Sequence, residues 1–204
     1  MTRMTARTLA WGRRQRPKLL ASLMGRVIED LVEAYALLTA RGRLTALRPS
    51  SDVDHKDFVF DVRGGYRNIY LQVKGVTTVN VLGQVRMHVE FRTKKVLSNP
   101  RFLYLFCLLD AEGLRIARMW LVPSPEFNRL APKRRRASGG IQFAFVAGNK
   151  SKWDPFLVQP EELGAKLLAA IEETKNASSI RTPRLASLIM TDARTRRAKI
   201  RPTD

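Results

Sequence analysis

Asp57, Gln72 and Lys74 bring a carboxylate, an amide carbonyl and an ammonium group into one short stretch of chain. Between Asp57 and Lys74 two apolar runs flank Gly64-Gly65, a pair that tolerates the positive φ a tight hairpin needs. A two-residue loop there pairs Arg63 with Tyr66, Val62 with Arg67, Phe60 with Ile69 and Asp57 with Gln72. Side chains alternate along a strand, so Phe58, Phe60, Val62, Ile69, Leu71 and Val73 share one apolar face. The other face carries Asp57, Val59, Asp61, Tyr70, Gln72 and Lys74. A slip of one residue would bury the polar set, so the apolar face argues for this register. A carboxylate and an amide oxygen on facing strands can hold a hard cation such as Mg²⁺. That ion polarises a phosphate and lowers the pKa of a bound water. Lys74 could orient or deprotonate the water, or stabilise charge on the phosphate; the second role needs no pKa shift and is preferred.

These residues need elements to hold them. The spacing predicts a helix from Lys18 to about Arg41, ended by Gly42. One stripe holds Leu20, Leu23, Met24, Val27, Leu31, Tyr35 and Leu38. A narrower one holds Ala21, Gly25, Val32 and Ala36, with Glu29 among them, so packing on two sides is expected. Glu29 is then either a group beside small side chains, where something approaches closely, or a solvent-facing glutamate at the edge of the polar arc. Residues 43–56 lead into the hairpin. Strands follow at 84–92, 101–109 (apolar on both faces, hence central), 114–122 and 141–147, with a short helix at 126–130, a basic loop at 132–140 and a last helix from Pro160. The order makes an α/β domain over residues 18–174, between basic arms at 1–17 and 175–204. Arg13-Arg14 and Pro17 read as breakers in the first arm.

The net charge of +19 on 204 residues names an anionic partner, nucleic acid before an acidic membrane surface. Residues 1–26 hold seven Lys/Arg and no acid, and residues 175–204 hold eight against two acids, so the ends carry +13 of it. The candidate phosphate contacts are Arg13, Arg14, Lys94, Lys95, Arg134, Arg135, Arg136, Lys150 and Lys152. The triplet 134–136 reads as well as a solvated loop. One cysteine, Cys107, rules out a disulfide framework and fits a core thiol in a reducing, cytoplasmic setting (nucleoid-associated in a bacterium or archaeon). No apolar run reaches the ~18 residues a membrane span needs. His55 and His88 are too few for a zinc set, and His88 falls on the polar face of a strand. Trp11, Trp120 and Trp153 are too separated for a stacking platform.

Asp57, with Gln72-Val-Lys74 fifteen residues on, resembles the Asp…(Glu/Gln)-x-Lys signature of the PD-(D/E)XK nuclease superfamily. It is nearest in motif to archaeal-type Holliday-junction resolvases and related small endonucleases. Gly25 and Glu29 on a first helix resemble that family's helix with its metal-binding glutamate, and Ser50-Ser51 its serine-containing loop. The resemblance covers about residues 25–75. It implies a restriction-endonuclease-like α/β fold, a central mixed sheet flanked by helices. It further implies hydrolysis of DNA phosphodiesters with Mg²⁺ (or Mn²⁺) held by Glu29, Asp57 and Gln72, assisted by Lys74, in a structure-selective, restriction or repair role. It leaves a homodimer open. Lys56 stands where proline is usual and Gln72 where glutamate is usual; a neutral ligand holds a cation more weakly. Asp54 is the alternative first acid, but its strand parity opposes Gln72. The competing reading is the same fold acting as a catalytically weak or inactive nucleic-acid-binding module.

Overall fold

The computed structural model describes residues 6–49, 56–65, 67–91 and 96–178. The chain divides into two units, residues 1–171 and residues 172–204. Of the second, residues 172–178 are described and are helical. The first element, α1, runs Ala6–Thr39. It starts upstream of the expected Lys18 and passes through Arg13, Arg14 and Pro17, so none of these breaks it. Ala, Leu, Arg and Gln dominate residues 6–16, all good helix formers, and a proline costs the helix interior a hydrogen bond without forbidding it.

The core-facing stripe of α1 is the narrow one. Ile28, Val32, Ala36 and Ala40 are buried, with Met24, Val27, Leu31 and Tyr35 packed beside them. Leu20, Leu23 and Leu38, expected inside, are 57 %, 52 % and 76 % exposed. Small residues explain the choice, because α1 lies close on two neighbours. At Gly75 a Cβ would come within 2.2 Å of Ile28 Cδ1. At Gly164 a Cβ would lie 2.3 Å from the Ala40 nitrogen and 2.6 Å from the Ala36 carbonyl oxygen. The Gly164 N–H donates to Thr39 Oγ1 at 2.8 Å, and that hydroxyl donates to the Tyr35 carbonyl at 2.7 Å. Arg41 and Gly42 take positive φ and end the helix.

Among the described residues nine strands follow: β1 Leu44–Leu47, β2 Phe58–Val62, β3 Asn68–Val76, β4 Val85–Phe91, β5 Phe102–Asp110, β6 Arg115–Pro123, β7 Lys133–Arg135, β8 Ile141–Ala147 and β9 Leu157–Val158. A short helix, α2 (Ser124–Leu130), follows β6, and α3 (Leu163–Ser178) closes the described chain. The central sheet has the order β1-β2-β3-β5-β6-β9. It is mixed: β3 and β5 are parallel and the other pairs antiparallel. β5 is buried on both faces, as its sequence predicts. The hairpin register is the predicted one, with Phe58 opposite Leu71 and Phe60 opposite Ile69. β1, β7 and β9 were not expected. They are short edge strands whose two to four residues carry no resolvable period.

The two faces of this sheet differ. Phe58, Phe60, Ile69, Leu71, Leu105 and Cys107 form a core with α1 and with α3 as far as Ile171. On the other face Tyr104, Phe106 and Trp120 meet a second sheet, β4-β8-β7, and α2. Phe106 stacks on Phe145 with ring centres 4.0 Å apart, and Trp153 lies 4.9 Å from Phe145. The protein is therefore mixed α/β, with helices on one face and mainly strands on the other. Burial pushes the Cys107 thiol pKa up, as expected of a core thiol.

Replacement of Gly164 by alanine must separate α1 from α3, since the atoms met are backbone. Gly164→Ala is expected to cost about 1–3 kcal/mol, the range of overpacked cores. Gly25 has open space around its Cβ position, so Gly25→Ala is expected to stabilise α1 by about 0.5–1 kcal/mol. Urea denaturation of both variants checks the pair; equal midpoints would refute the close-packing account.

Candidate active site

Ile28 rests on β3 through Gly75, so the next residue, Glu29, emerges from α1 beside the end of the hairpin. Asp57 sits one residue before β2. Its backbone N–H donates to the Leu71 carbonyl at 2.9 Å, and its Oδ2 accepts the Val73 N–H at 2.6 Å. These two bonds clamp the carboxylate at the strand end. The other described acid on the hairpin's polar face, Asp61, is spent on the turn, where Oδ1 accepts the Arg67 N–H at 3.0 Å.

Glu29 and Asp57 line one cavity of about 380 Å³. Arg26, Arg48 and Lys56 line it as well, together with Ser22 and Pro49. Glu29 is half-buried, and its pKa is raised from the ordinary 4.5 by burial first and by the Asp57 charge second; Arg48 acts in the opposite direction. Arg48 is committed elsewhere. Its guanidinium donates to Asp30 Oδ1 at 2.6 Å and to Glu33 Oε2 at 2.8 Å, and it stacks 5.0 Å from the Phe58 ring. Among the described residues Glu29 therefore has no hydrogen-bond or ion-pair partner. Two carboxylates thus repel one another across a polar cavity.

Gln72 and Lys74 stand on the adjoining strand. Gln72 is 4 % exposed and lies opposite Tyr104 of β5, and Lys74 lies opposite Phe106. Paired residues share a sheet face, so both belong to the face away from α1. Neither lines the cavity of Glu29 and Asp57. The structure thus brings Glu29 and Asp57 to one cavity and leaves Gln72 and Lys74 outside it, on the sheet face away from α1. Asp54, His55, Ser50 and Ser51 lie outside the described residues.

Sequence reasoning passed over Arg26, Arg48 and Lys56. Ser22, Arg26 and Glu29 are spaced i, i+4, i+7 along α1, a one-face pattern that could have shown them. Lys56 adjoins Asp57. Its Nζ lies 4.4 Å from the centre of the Tyr70 ring, a cation–π contact. Arg48 had no such signal, because β1 was not visible.

The candidate phosphate contacts are dispersed. Arg134 and Arg135 are exposed on β7, beside a cavity of about 470 Å³. Arg136 pairs with Glu90, which also accepts from Gln142 at 2.7 Å. Lys150 is exposed, and Lys152 donates to the Leu130 carbonyl at 2.6 Å. Arg13 and Arg14 lie on the backbone of α1. Lys94 and Lys95 lie outside the described residues.

The raised pKa of Glu29 fixes a sign. Below 4.5 the group is protonated folded and unfolded alike. As pH rises above that value the unfolded chain ionises first, so the native state loses stability until the folded pKa is passed. Glu29→Gln removes the effect. Its stability relative to the unsubstituted protein is expected to improve between pH 4 and pH 7, read by urea denaturation at both. A relative stability that falls over that interval would contradict the site's electrostatics.

No family model matches the chain, and no curated protein matches it. Among solved structures it is similar to a bacterial homing endonuclease, I-Ssp6803I, at a TM-score of 0.44 and 17 % sequence identity, over 72 % of this chain and 94 % of that one. A likeness at that level transfers no residue roles. Among the described residues no helix is long and apolar enough to cross a membrane.

Proposed function

We propose that the protein is a metal-dependent endonuclease acting on DNA phosphodiesters. The observation that carries the reading is the half-buried Glu29, without a hydrogen-bond or ion-pair partner among the described residues, sharing with Asp57 a cavity edged by cations. A half-buried Glu29 whose proton affinity is raised by burial and by the Asp57 charge is relieved by a divalent cation as well as by a proton. The donors suit Mg²⁺ or Mn²⁺, which take oxygen ligands and keep several waters when one or two carboxylates hold them. Glu29 and Asp57 would hold the ion; Gln72, the expected neutral third donor, lies outside their cavity. Among the described residues no group of three or more His, Cys, Asp or Glu gathers, so water would complete the shell. When bound, the ion supplies Lewis-acid polarisation of the phosphate and an acidified water.

The chain's own groups do the rest. Arg26 and Lys56 at the cavity wall attract and orient the phosphate. The Val73 N–H, donating to Oδ2, holds the Asp57 carboxylate in place. Lys74 is the cation on the adjoining strand that would stabilise charge on the phosphate as it is attacked. The +19 charge draws the polyanion in and makes binding salt-dependent. A homodimer and a cytoplasmic setting remain proposals of the same reading.

One observation favours the second reading, a nucleic-acid-binding module with little catalysis. Gln72 and Lys74 do not share the cavity of the two acids, and a neutral Gln72 weakens metal binding. Nicking of plasmid and branched DNA with Mg²⁺, against EDTA, separates the two. Asp57→Asn is expected to lower cleavage by roughly a hundredfold or more, the order lost with one charge-stabilising group. Lys74→Ala and Lys56→Ala report which lysine serves the phosphate. Cleavage that survives Asp57→Ala and Lys74→Ala together sinks the assignment. Metal binding also reads out without activity: Mg²⁺ at a hundred times its Kd stabilises by about 2.7 kcal/mol, and the rise in Tm should vanish in the Glu29→Gln/Asp57→Asn double variant.

A further inference from the structure

The connection between β3 and β4 carries three exposed apolar side chains on a turn built to hold them out. Val81 is 102 % exposed, Leu82 75 % and Val79 47 %. Asn80 fixes the turn. Its Oδ1 accepts the N–H groups of Leu82 and Gln84 at 3.0 and 2.9 Å, and its backbone pairs with Gln84 and Gly83 at 2.9 Å. Gly83 closes the turn at φ 68°. The apolar tip is thus rigid in backbone while its side chains touch water. Beside it lies a polar cavity of about 490 Å³ whose wall includes Asn149, Lys150, Ser151 and Lys152. Lys150 takes φ 54° and is exposed, with no hydrogen-bond or ion-pair partner among the described residues. Lys152 is held through the Leu130 carbonyl and rests 5.4 Å from the Trp153 ring.

We propose that the Val81-Leu82 turn is an apolar wedge for duplex DNA, with Lys150 on the adjacent phosphate backbone. The proposal rests on the nuclease reading for the nature of the substrate. Side chains such as leucine enter between base steps and partly unstack them, while neighbouring cations hold the strands. Charge selects this occupant: a +19 chain that places lysines around an apolar tip fits a ligand with phosphates outside and apolar base faces within. Reach agrees. Val81 is the seventh residue after Lys74, which bounds their distance at about 25 Å for an extended chain. A helical turn of B-DNA spans about 34 Å, more than that bound.

The test uses the full chain and a duplex containing 2-aminopurine, whose fluorescence rises on unstacking. Duplex binding by the unsubstituted protein should raise the signal. Val81→Ser/Leu82→Ser should lose the rise and about tenfold in affinity, with the salt slope unchanged, and Leu82→Met should keep both. Lys150→Asn, which tolerates the left-handed backbone, should reduce the salt slope by about one and keep the rise. An unchanged signal and affinity in the double serine variant would overturn the wedge. So would a loss confined to anionic phospholipid vesicles with duplex binding intact. Tip-dependent unstacking without Mg²⁺-dependent cleavage would uphold the wedge and overturn the nuclease. Cleavage with a tip-independent signal would do the reverse. Absence of duplex binding at low salt would remove both.

Discussion

Ile28 lies on Gly75, and much of the candidate site follows from that contact. Any side chain on β3 at this position would meet the isoleucine. Without one, α1 settles onto the sheet and its next residue, Glu29, reaches the end of the hairpin. The same helix is fixed a few turns later by Gly164 against Ala36 and Ala40. Two glycines on different elements therefore determine where one carboxylate stands. Packing at native density transmits such a constraint, because a core this close cannot shift by a fraction of an ångström without loss elsewhere. The half-burial of Glu29, and with it the upward pKa, is a consequence of that seating.

The second carboxylate is positioned by a different rule. Asp57 has left the ladder of β2, yet it keeps the ladder's hydrogen bonds through its own N–H and one carboxylate oxygen. A side chain that replaces a missing backbone acceptor is held nearly as firmly as the strand itself. The two acids arrive by unrelated routes, one by helix packing and one by strand-end hydrogen bonding. Arg48 could have neutralised them, but Asp30 and Glu33 already occupy it.

The sequence was legible where the period was strong. The β2–β3 register came through intact, because a slip would have exposed Phe58, Phe60, Ile69 and Leu71 together. The double-faced burial of β5 and the single cysteine within it were equally readable. The stripe on α1 was misjudged for a physical reason: Leu20, Leu23 and Leu38 carry more apolar area than Val32 or Ala36, but the close approaches demand small groups. β1 was hidden by its length, and Arg48 with it. The second sheet was the larger omission. β4 and β8 were visible as strands, but alternation says which face is buried and not against what, so helices were expected where strands cover the aromatic core.

That second sheet alters how the hairpin's polar face can work. Gln72 and Lys74 were read as sharing one face of the hairpin with Asp57. Instead they stand over Tyr104 and Phe106, on the face that the second core covers. A group so placed meets a substrate only at the sheet's edge, where β2 begins and the helix-covered face meets the strand-covered one. Glu29 comes from the helix-covered face, Gln72 and Lys74 belong to the other, and Asp57 stands one residue before β2. The chain continues from this edge through Gly75 and Val76 to the Val81-Leu82 turn. On the proposed reading, the strand that carries Lys74 also delivers the wedge, and catalysis and substrate grip depend on one stretch of backbone.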